Sequence, residues 1–300
     1  MLQTFNPANE HIQIWVGDRL WPRKEAKVSV FDSSVQGGDA VWEGLRVYKD
    51  GIFCLDRHLS RLFASAHALA FEGVPTDAFV RDAIFSTLNA NRMRDGAHIR
   101  LTLTRGEKIT SGMDPRLNQG GCRLIVLAEW KPVVYDNAKG IRVITSSIIR
   151  NSPRHLDSKI HHNNLLNNIQ AKIQANVAGV DAALMLDAQG FVSELNDTNI
   201  FMAKDGRLYT PRADACLHGI TRQLVIDIAS TSGIQVEERN LSLTEFYNAD
   251  QVFASGTMGE LTPVFEIDGR RITARSDHNV LGSLLPKFEQ LRKVHCVPIP

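Results

Sequence analysis

The run DAALMLDAQGFVSELNDTNIFMA, residues 181–203, decides the fold class. It holds three short apolar segments, Asp181 to Asp187, Phe191 to Glu194 and Asn199 to Ala203. Ala188-Gln189-Gly190 separates the first two, and Asp205-Gly206 follows the third. Segments this short, joined by turns this tight, read as an antiparallel meander, because parallel neighbours need a crossover of a dozen or more residues. The middle segment ends on a carboxylate, Glu194.

The flanking sequence carries the same signature. Ile12, Ile14 and Val16 alternate and meet Gly17-Asp18, a hairpin signal. Val41 to Tyr48 is a strand that Asp50-Gly51 turns into Ile52–Leu55. Asp56 is placed to cap a helix bearing Leu59, Leu62, Phe63, Ala66 and Leu69, which Gly73-Val74-Pro75 stops. Thr76 caps a second, with Phe79, Val80, Ala83, Ile84 and Leu88 expected inward. Ala97 to Thr104 and Cys122 to Ala128 read as strands, and Gly106 to Gly121 between them is long enough for a mobile lid. Beyond Ile141 to Thr145, residues 165–177 form a helix expected to turn Leu166, Ile169, Ile173 and Val177 inward. Leu224, Val225 and Ile228 mark a helix after Thr221 that Gly233 stops. Asp268-Gly269 is a hairpin turn, and Val280 to Leu291 a closing helix. Hairpins with interspersed helices predict an α+β protein of two domains rather than a doubly wound parallel sheet. Apolar periodicity lapses over residues 131–140, giving an N-terminal domain of 1–130, a linker of 131–140 and a C-terminal domain of 141–300.

Composition narrows the function classes. Three hundred residues, 43% of them hydrophobic, suffice to bury roughly 70–75% of the unfolded surface. With 34 basic and 33 acidic side chains the net charge is +1, so no field is built for nucleic acid or an anionic membrane. Apolar runs such as Leu124 to Ala128 are too short to span a bilayer, and the N-terminus lacks a basic-then-apolar signal pattern. Cys54, Cys122, Cys216 and Cys296 are scattered without C-x-x-C spacing, which suits a reducing cytoplasm. His161-His162 has no third ligand spaced for a metal, and none is expected.

Four motifs between Lys159 and Glu260 carry the chemistry. Lys159 sits in a polar run, Asp157 to Asn164, just before an apolar helix. Glu194 ends its strand. Leu217-His218-Gly219-Ile220-Thr221-Arg222 opens a helix whose free N–H groups and positive dipole end favour an anion. Ser255-Gly256-Thr257-Met258-Gly259-Glu260 is a second small-residue turn. An aldehyde, a ring nitrogen and a phosphate would each find a partner here: an amine, a carboxylate and backbone N–H groups. Taken singly, each motif is equally an ordinary solvated charge, helix start or turn.

Their order resembles that of the class IV aminotransferases, pyridoxal-phosphate enzymes of fold type IV. The likeness covers nearly the whole chain. It includes Gly44-Leu45-Arg46-Val47-Tyr48 and His58 to Ala66 in the N-terminal half. In the C-terminal half it takes in the Lys159 region, Ser193-Glu194 with Asn199-Ile200-Phe201, residues 217–222, and Ser255-Gly256-Thr257 with Glu260 to Val264. The overall pattern is most similar to the branched-chain aminotransferases.

The resemblance implies pyridoxal 5'-phosphate as cofactor, Lys159 as Schiff-base lysine and acid–base group, and Glu194 on the pyridinium nitrogen. Arg61, Gly219, Ile220, Thr221, Gly256 and Thr257 would surround the phosphate, with Leu217 packed on the ring. Helical periodicity alone puts Arg61 about 140° from the middle of its helix's apolar face, toward solvent. For the substrate pocket the resemblance implies Trp42 and Met258, with Arg100 and Arg105 as rival carboxylate clamps. Departures lie in that pocket. No tyrosine precedes Val41-Trp42-Glu43-Gly44, Asn163-Asn164 stands where a tyrosine is usual, and His98-Ile99-Arg100 replaces a Tyr-x-Arg motif. Thr104-Arg105-Gly106 is similar instead to D-amino-acid transaminases. The implied activity is transamination between an amino acid, L-branched-chain first, and a 2-oxo acid such as 2-oxoglutarate. A D-amino-acid transaminase, a 4-amino-4-deoxychorismate lyase-like enzyme and a silent cofactor-binding protein are the alternatives. The family's assembly implies at least a homodimer.

Overall fold

The computed structural model describes residues 4–273 and 277–300. The chain divides into two compact units. An N-terminal unit runs to Pro132 and takes in Ile160–Asn164 and His295–Pro300, while a C-terminal unit holds Val133–Lys159 and Leu165–Val294.

In the N-terminal unit the elements are β1 (Gln13–Val16), β2 (Arg19–Pro22), α1 (Ser33–Gly37), β3 (Ala40–Tyr48), β4 (Gly51–Phe53), α2 (Leu55–Ala68), α3 (Asp77–Ala90), β5 (Ala97–Thr104) and β6 (Arg123–Trp130). The strand Cys296–Val297 joins β4, and the described strands order as 296–297, β4, β3, β5, β6, β1, β2, every pair antiparallel. Alternation along β3 and β5 sorts their side chains. Val41, Leu45 and Val47 share one face with Leu101 and Ile99, packing with Leu55, Leu59, Leu62, Val80, Ile84 and Leu88 of the helices. Each such buried aliphatic side chain contributes roughly 1.5–3 kcal/mol. Glu43 lies on that same buried face. Trp42, Gly44 and Arg46 face the other way, opposite Thr102, Arg100 and His98.

Residues 160–164 extend this sheet. Trp42 N–H donates to the His161 carbonyl and Asn163 N–H to the Ala40 carbonyl, at 2.9 and 2.7 Å. Helix α2 starts one residue before the expected cap. Cys54 holds the N-cap position at φ 52°, and Asp56 falls in the first turn, where its charge suits the helix dipole. It also ends early, at Ala68, because Ala70 takes a left-handed φ of 51°. Thr76 does cap α3, accepting from Phe79 N–H at 3.2 Å. Phe79, expected inward, is 39% exposed and meets Trp15 edge-on instead. The 106–121 loop is stapled rather than loose. Bridges join Asp32 to Glu107 and Lys108 to Asn118, and a short 3-10 turn spans Pro115–Leu117.

The C-terminal unit contains β7 (Ile141–Thr145), α4 (Leu166–Val177), β8 (Ala182–Leu186), β9 (Val192–Leu195), β10 (Asn199–Lys204), β11 (Arg207–Pro211), α5 (Ile220–Thr231), β12 (Val236–Arg239), α6 (Leu243–Tyr247), β13 (Gln251–Gly256), β14 (Glu260–Ile267), β15 (Arg270–Arg271) and α7 (Val280–Val294). Its described strands order as β12, β11, β10, β13, β14, β7, β8, β9, with β15 on β14. Three pairs are parallel: β11 with β12, β14 with β7, and β7 with β8. The antiparallel reading is thus incomplete here, since α4 and α5 each provide a crossover.

Helix α4 overturns one expectation. Leu166, Ile169, Ile173 and Val177 are 64%, 50%, 53% and 85% exposed, while Ala171 and Ala175 are buried with Ala183 and Met185. Small alanines let the helix lie close on β8. Its polar side chains then serve the loops beneath, Asn168 donating to the Asn196 carbonyl and Gln174 accepting from Ser146 and Ser147. The apolar stripe is left facing outward.

Candidate active site

Glu194, on β9, is a buried, doubly anchored acid of the C-terminal unit. Its side chain is 6% exposed and that of Arg150 7%. Arg150 Nε donates to Glu194 Oε1 at 2.5 Å, and Asn199 Nδ2 donates to Oε2 at 3.1 Å. Burial pushes the Glu194 carboxyl up from its ordinary value, against the pull of Arg150. A buried carboxylate held at both oxygens is a fixed acceptor, suited to a protonated ring nitrogen.

The loop 212–219 is tied down at three of its carbonyls by three side chains. Lys159 Nζ donates to the Asp214 carbonyl at 3.3 Å, Ser193 Oγ to that of Ala215 at 3.0 Å, and Asn199 Nδ2 to that of Leu217 at 3.0 Å. The Lys159 amine also lies 3.0 Å from Asp157 Oδ1. Lys159, Glu194, Leu217 and Gly219 are therefore brought together through one loop. Gly219 is the N-cap of α5, and no side chain caps it. Thr221 sits buried in the first turn. A Cβ at Gly219 would lie 1.9 Å from Asn199 Oδ1, and one at Gly256 2.7 Å from Thr198 Cγ2, so both close approaches require glycine. Gly256 ends β13, and Thr257 and Met258 turn the chain into β14; the Met258 carbonyl accepts from Val134 N–H.

These groups fit pyridoxal phosphate. The uncapped start of α5 offers N–H donors for a phosphate, and Glu194 offers the acid for a ring nitrogen. The Ser255 hydroxyl, directly across from Asn199, is buried with no partner among the described residues.

Arg61, Trp42, Arg100 and Arg105 lie in the N-terminal unit. Arg61 is turned inward despite its helical position, because Glu43 is fully buried on β3. Arg61 grips it through Nε at 2.8 Å and Nη2 at 2.7 Å, and His58 and His161 add their Nδ1 atoms at 2.7 and 3.2 Å. Burial alone would raise the Glu43 carboxyl, but Arg61 and His161 together hold it well below the usual range. Arg100 stacks 3.4 Å over the Trp42 ring and donates to Asn163 Oδ1 at 2.6 Å. Burial, partly offset by Glu43, lowers Arg100 to about 10, so it stays cationic at neutral pH. Arg105 differs. Its guanidinium is committed to both oxygens of Asp39 and to the carbonyls of Leu69 and Ala70, over the Phe71 ring.

His161 is driven down to about 4 by burial, with Glu43 opposing and Arg61 and Arg100 assisting. It is therefore neutral in the fold and titrates near 6.5 when unfolded. A folded value below the unfolded one means stability is fully present above pH 6.5 and is lost as pH falls from 6.5 toward 4. The loss should reach on the order of 2–3 kcal/mol. Denaturant midpoints for the wild type and His161→Gln, taken from pH 7 to 4.5, check this: the variant should show the shallower slope, and parallel slopes refute it.

Sequence reasoning missed Arg150, and it named Asn199 only as part of a matched stretch. Arg150 follows Ile148-Ile149 with no spacing signal; only the need of a buried carboxylate for a cation pointed to such a residue.

A family model for class IV amino-transferases matches residues 40–267. The chain belongs to the class IV aminotransferases, and its fold is the two-domain α+β fold type IV. It is 57% identical over 294 residues to branched-chain-amino-acid aminotransferase-like protein 2 of Arabidopsis thaliana, covering 98% of this chain and 53% of that one. The chain thus spans about half the length of that relative. It is 32% identical to the branched-chain-amino-acid aminotransferase of Pseudomonas aeruginosa over 290 residues, covering 94% and 91%. Among solved structures it superposes with a TM-score of 0.87 and 32% identity on a T.th. branched-chain amino acid aminotransferase complexed with N-(5'-phosphopyridoxyl)-L-glutamate, covering 95% of both chains.

Proposed function

We propose that this chain catalyses pyridoxal-phosphate-dependent transfer of an amino group between an L-branched-chain amino acid and a 2-oxo acid such as 2-oxoglutarate. The observation that carries the reading is the loop 212–219, to which Lys159, the Glu194–Asn199 pair and the uncapped start of α5 are all joined. Branched-chain relatives and structures support the substrate class. When bound, the cofactor supplies an electron sink for the substrate carbanion. Lys159 Nζ would move the proton between the substrate Cα and the cofactor carbon. Glu194 Oε2 or Oε1 would hold the ring-nitrogen proton, and the N–H groups of Ile220 and Thr221, with Thr257, the phosphate.

Of the rival clamps, Arg100 is the one for the substrate carboxylate, because Arg105 has its donors committed within the fold. Arg100→Ala should lower kcat/KM about 10²-fold with little change in Tm. Arg105→Ala should instead destabilise by about 2 kcal/mol, less than a fully buried pair because Asp39 keeps some solvent. Reversed effects would exchange the two roles.

The activity itself is tested by supplying pyridoxal phosphate, 2-oxoglutarate and L- or D-leucine. Glutamate from L-leucine alone is expected. Glutamate from D-leucine alone would favour the D-amino-acid reading, and ammonia or pyruvate without transfer the lyase. The same proposal places the enzyme in the cytoplasm as at least a homodimer. The outward stripe of Leu166, Ile169, Ile173 and Val177 supports self-association. Among the described residues no helix is long and apolar enough to cross a membrane.

A further inference from the structure

We infer that Asn199 is a positioning residue that couples the acid at the ring-nitrogen end of the site to the loop at its phosphate end. The inference rests on the cofactor reading above. Asn199 begins β10 and is 6% exposed. Both protons of its Nδ2 are spent, one on Glu194 Oε2 at 3.1 Å and one on the Leu217 carbonyl at 3.0 Å. Its Oδ1 fills the space that a side chain on Gly219 would need. The orientation of the amide is fixed by this environment: turned over, it would set an oxygen against a carboxylate and a carbonyl.

The backbone prepares the arrangement. Glu194 and Asn199 stand on either side of one tight turn between β9 and β10, closed by Leu195 N–H to the Thr198 carbonyl at 2.8 Å. Asn199 is then locked across from Ser255, whose strand ends at Gly256. Arg150 fixes the other oxygen of Glu194 but makes no bond to the loop in the contacts above. Beside a direct bond from the Leu217 backbone to the Glu194 carboxylate, the Asn199 side chain bonds both Glu194 and Leu217 and packs against Gly219, so a shift of the acid is carried to the start of α5. No other residue type meets all three demands. Aspartate loses both donors and adds a like charge, glutamine is one methylene too long, and alanine leaves both acceptors short.

The test uses holoprotein of the wild type, Asn199→Ala, Asn199→Asp, Gly219→Ala and the Asn199→Ala/Gly219→Ala double variant. Affinities for pyridoxal phosphate and for phosphate-free pyridoxal are measured per folded molecule. The visible absorption of the bound cofactor is titrated with pH, and Tm is recorded. Asn199→Ala should weaken pyridoxal phosphate about tenfold, weaken pyridoxal less, and shift the absorption midpoint. Gly219→Ala should cost at least about tenfold alone but little when added to Asn199→Ala, since the methyl then meets no Oδ1. Aspartate should not rescue. A variant with lowered Tm but wild-type affinities and titration would make Asn199 structural only and overturn the inference. Additive effects at 199 and 219 would overturn it as well. Wild-type protein that takes up no pyridoxal phosphate would overturn the cofactor reading, and this inference with it.

Discussion

Lys159→Ala is expected to lower turnover by at least about 10³-fold while leaving the fold intact. The lysine amine is held by Asp157 and the Asp214 carbonyl, and its side chain is 35% exposed. Removing it deletes two surface-weight contacts, so Tm should change by no more than a few degrees. What disappears is the only group proposed both to bond the cofactor carbonyl and to move the substrate proton. Borohydride reduction of the wild type should attach the cofactor irreversibly to one peptide, and digestion should find it on Lys159. Label on another lysine, or turnover surviving in Lys159→Ala, would end the assignment. Cofactor affinity in the variant should fall by less than turnover, because the start of α5 and the Glu194 pair remain.

Glu194→Gln carries the second largest effect, about 10²–10³-fold on the proton-transfer step. Glutamine keeps shape and one acceptor but loses the charge that stabilises a protonated ring nitrogen. A complication is built into the site: Arg150 would be left buried beside a neutral amide, and breaking a buried pair this way costs about 3–5 kcal/mol. The Arg150→Gln/Glu194→Gln double variant separates the two effects. It should recover much of the lost stability without recovering rate. Single-turnover rates equal to wild type in Glu194→Gln would remove Glu194 from the ring-nitrogen role.

The strands and most helices were legible because period-2 alternation and turn residues are local signals. Asp50-Gly51, Thr76 and Asp268-Gly269 each turn or cap where the sequence says. Failures arose where tertiary demands outweighed local pattern. Helix α4 shows its apolar side to the outside because alanines allow closer packing on β8. Arg61 leaves its solvated face because a buried Glu43 lies across from it. Neither partner is near in sequence, so no window of residues contains the reason. Within the site, the lysine, the acid and the helix start were visible as types in order. The side chains that hold them, Arg150 and Asn199, were not, since a supporting contact leaves no spacing of its own. The rivalry of Arg100 and Arg105 likewise needed the third dimension: only the placement of Asp39 and two carbonyls shows which fan of donors is occupied.

The strand Cys296–Val297 makes closure of the N-terminal sheet a late event in synthesis. Residues 4–132 precede it in the chain, yet their sheet stays open along β4 until residues 296–297 arrive. Gly51 is packed so tightly there that a Cβ would lie 2.1 Å from the Val297 carbonyl. Until residues 160–164 are made, the first half of β3 also lacks its outer partner, and Glu43 lacks His161. A nascent N-terminal unit therefore carries a bare strand edge along β4 until residues 296–297 are made, and a second edge and an under-paired buried acid until residues 160–164 are. Exposed edges invite pairing with other chains. Chaperone dependence should consequently concentrate in the interval before residues 296–297 leave the exit tunnel, and stop codons placed between residues 164 and 295 should yield aggregates rather than a stable half.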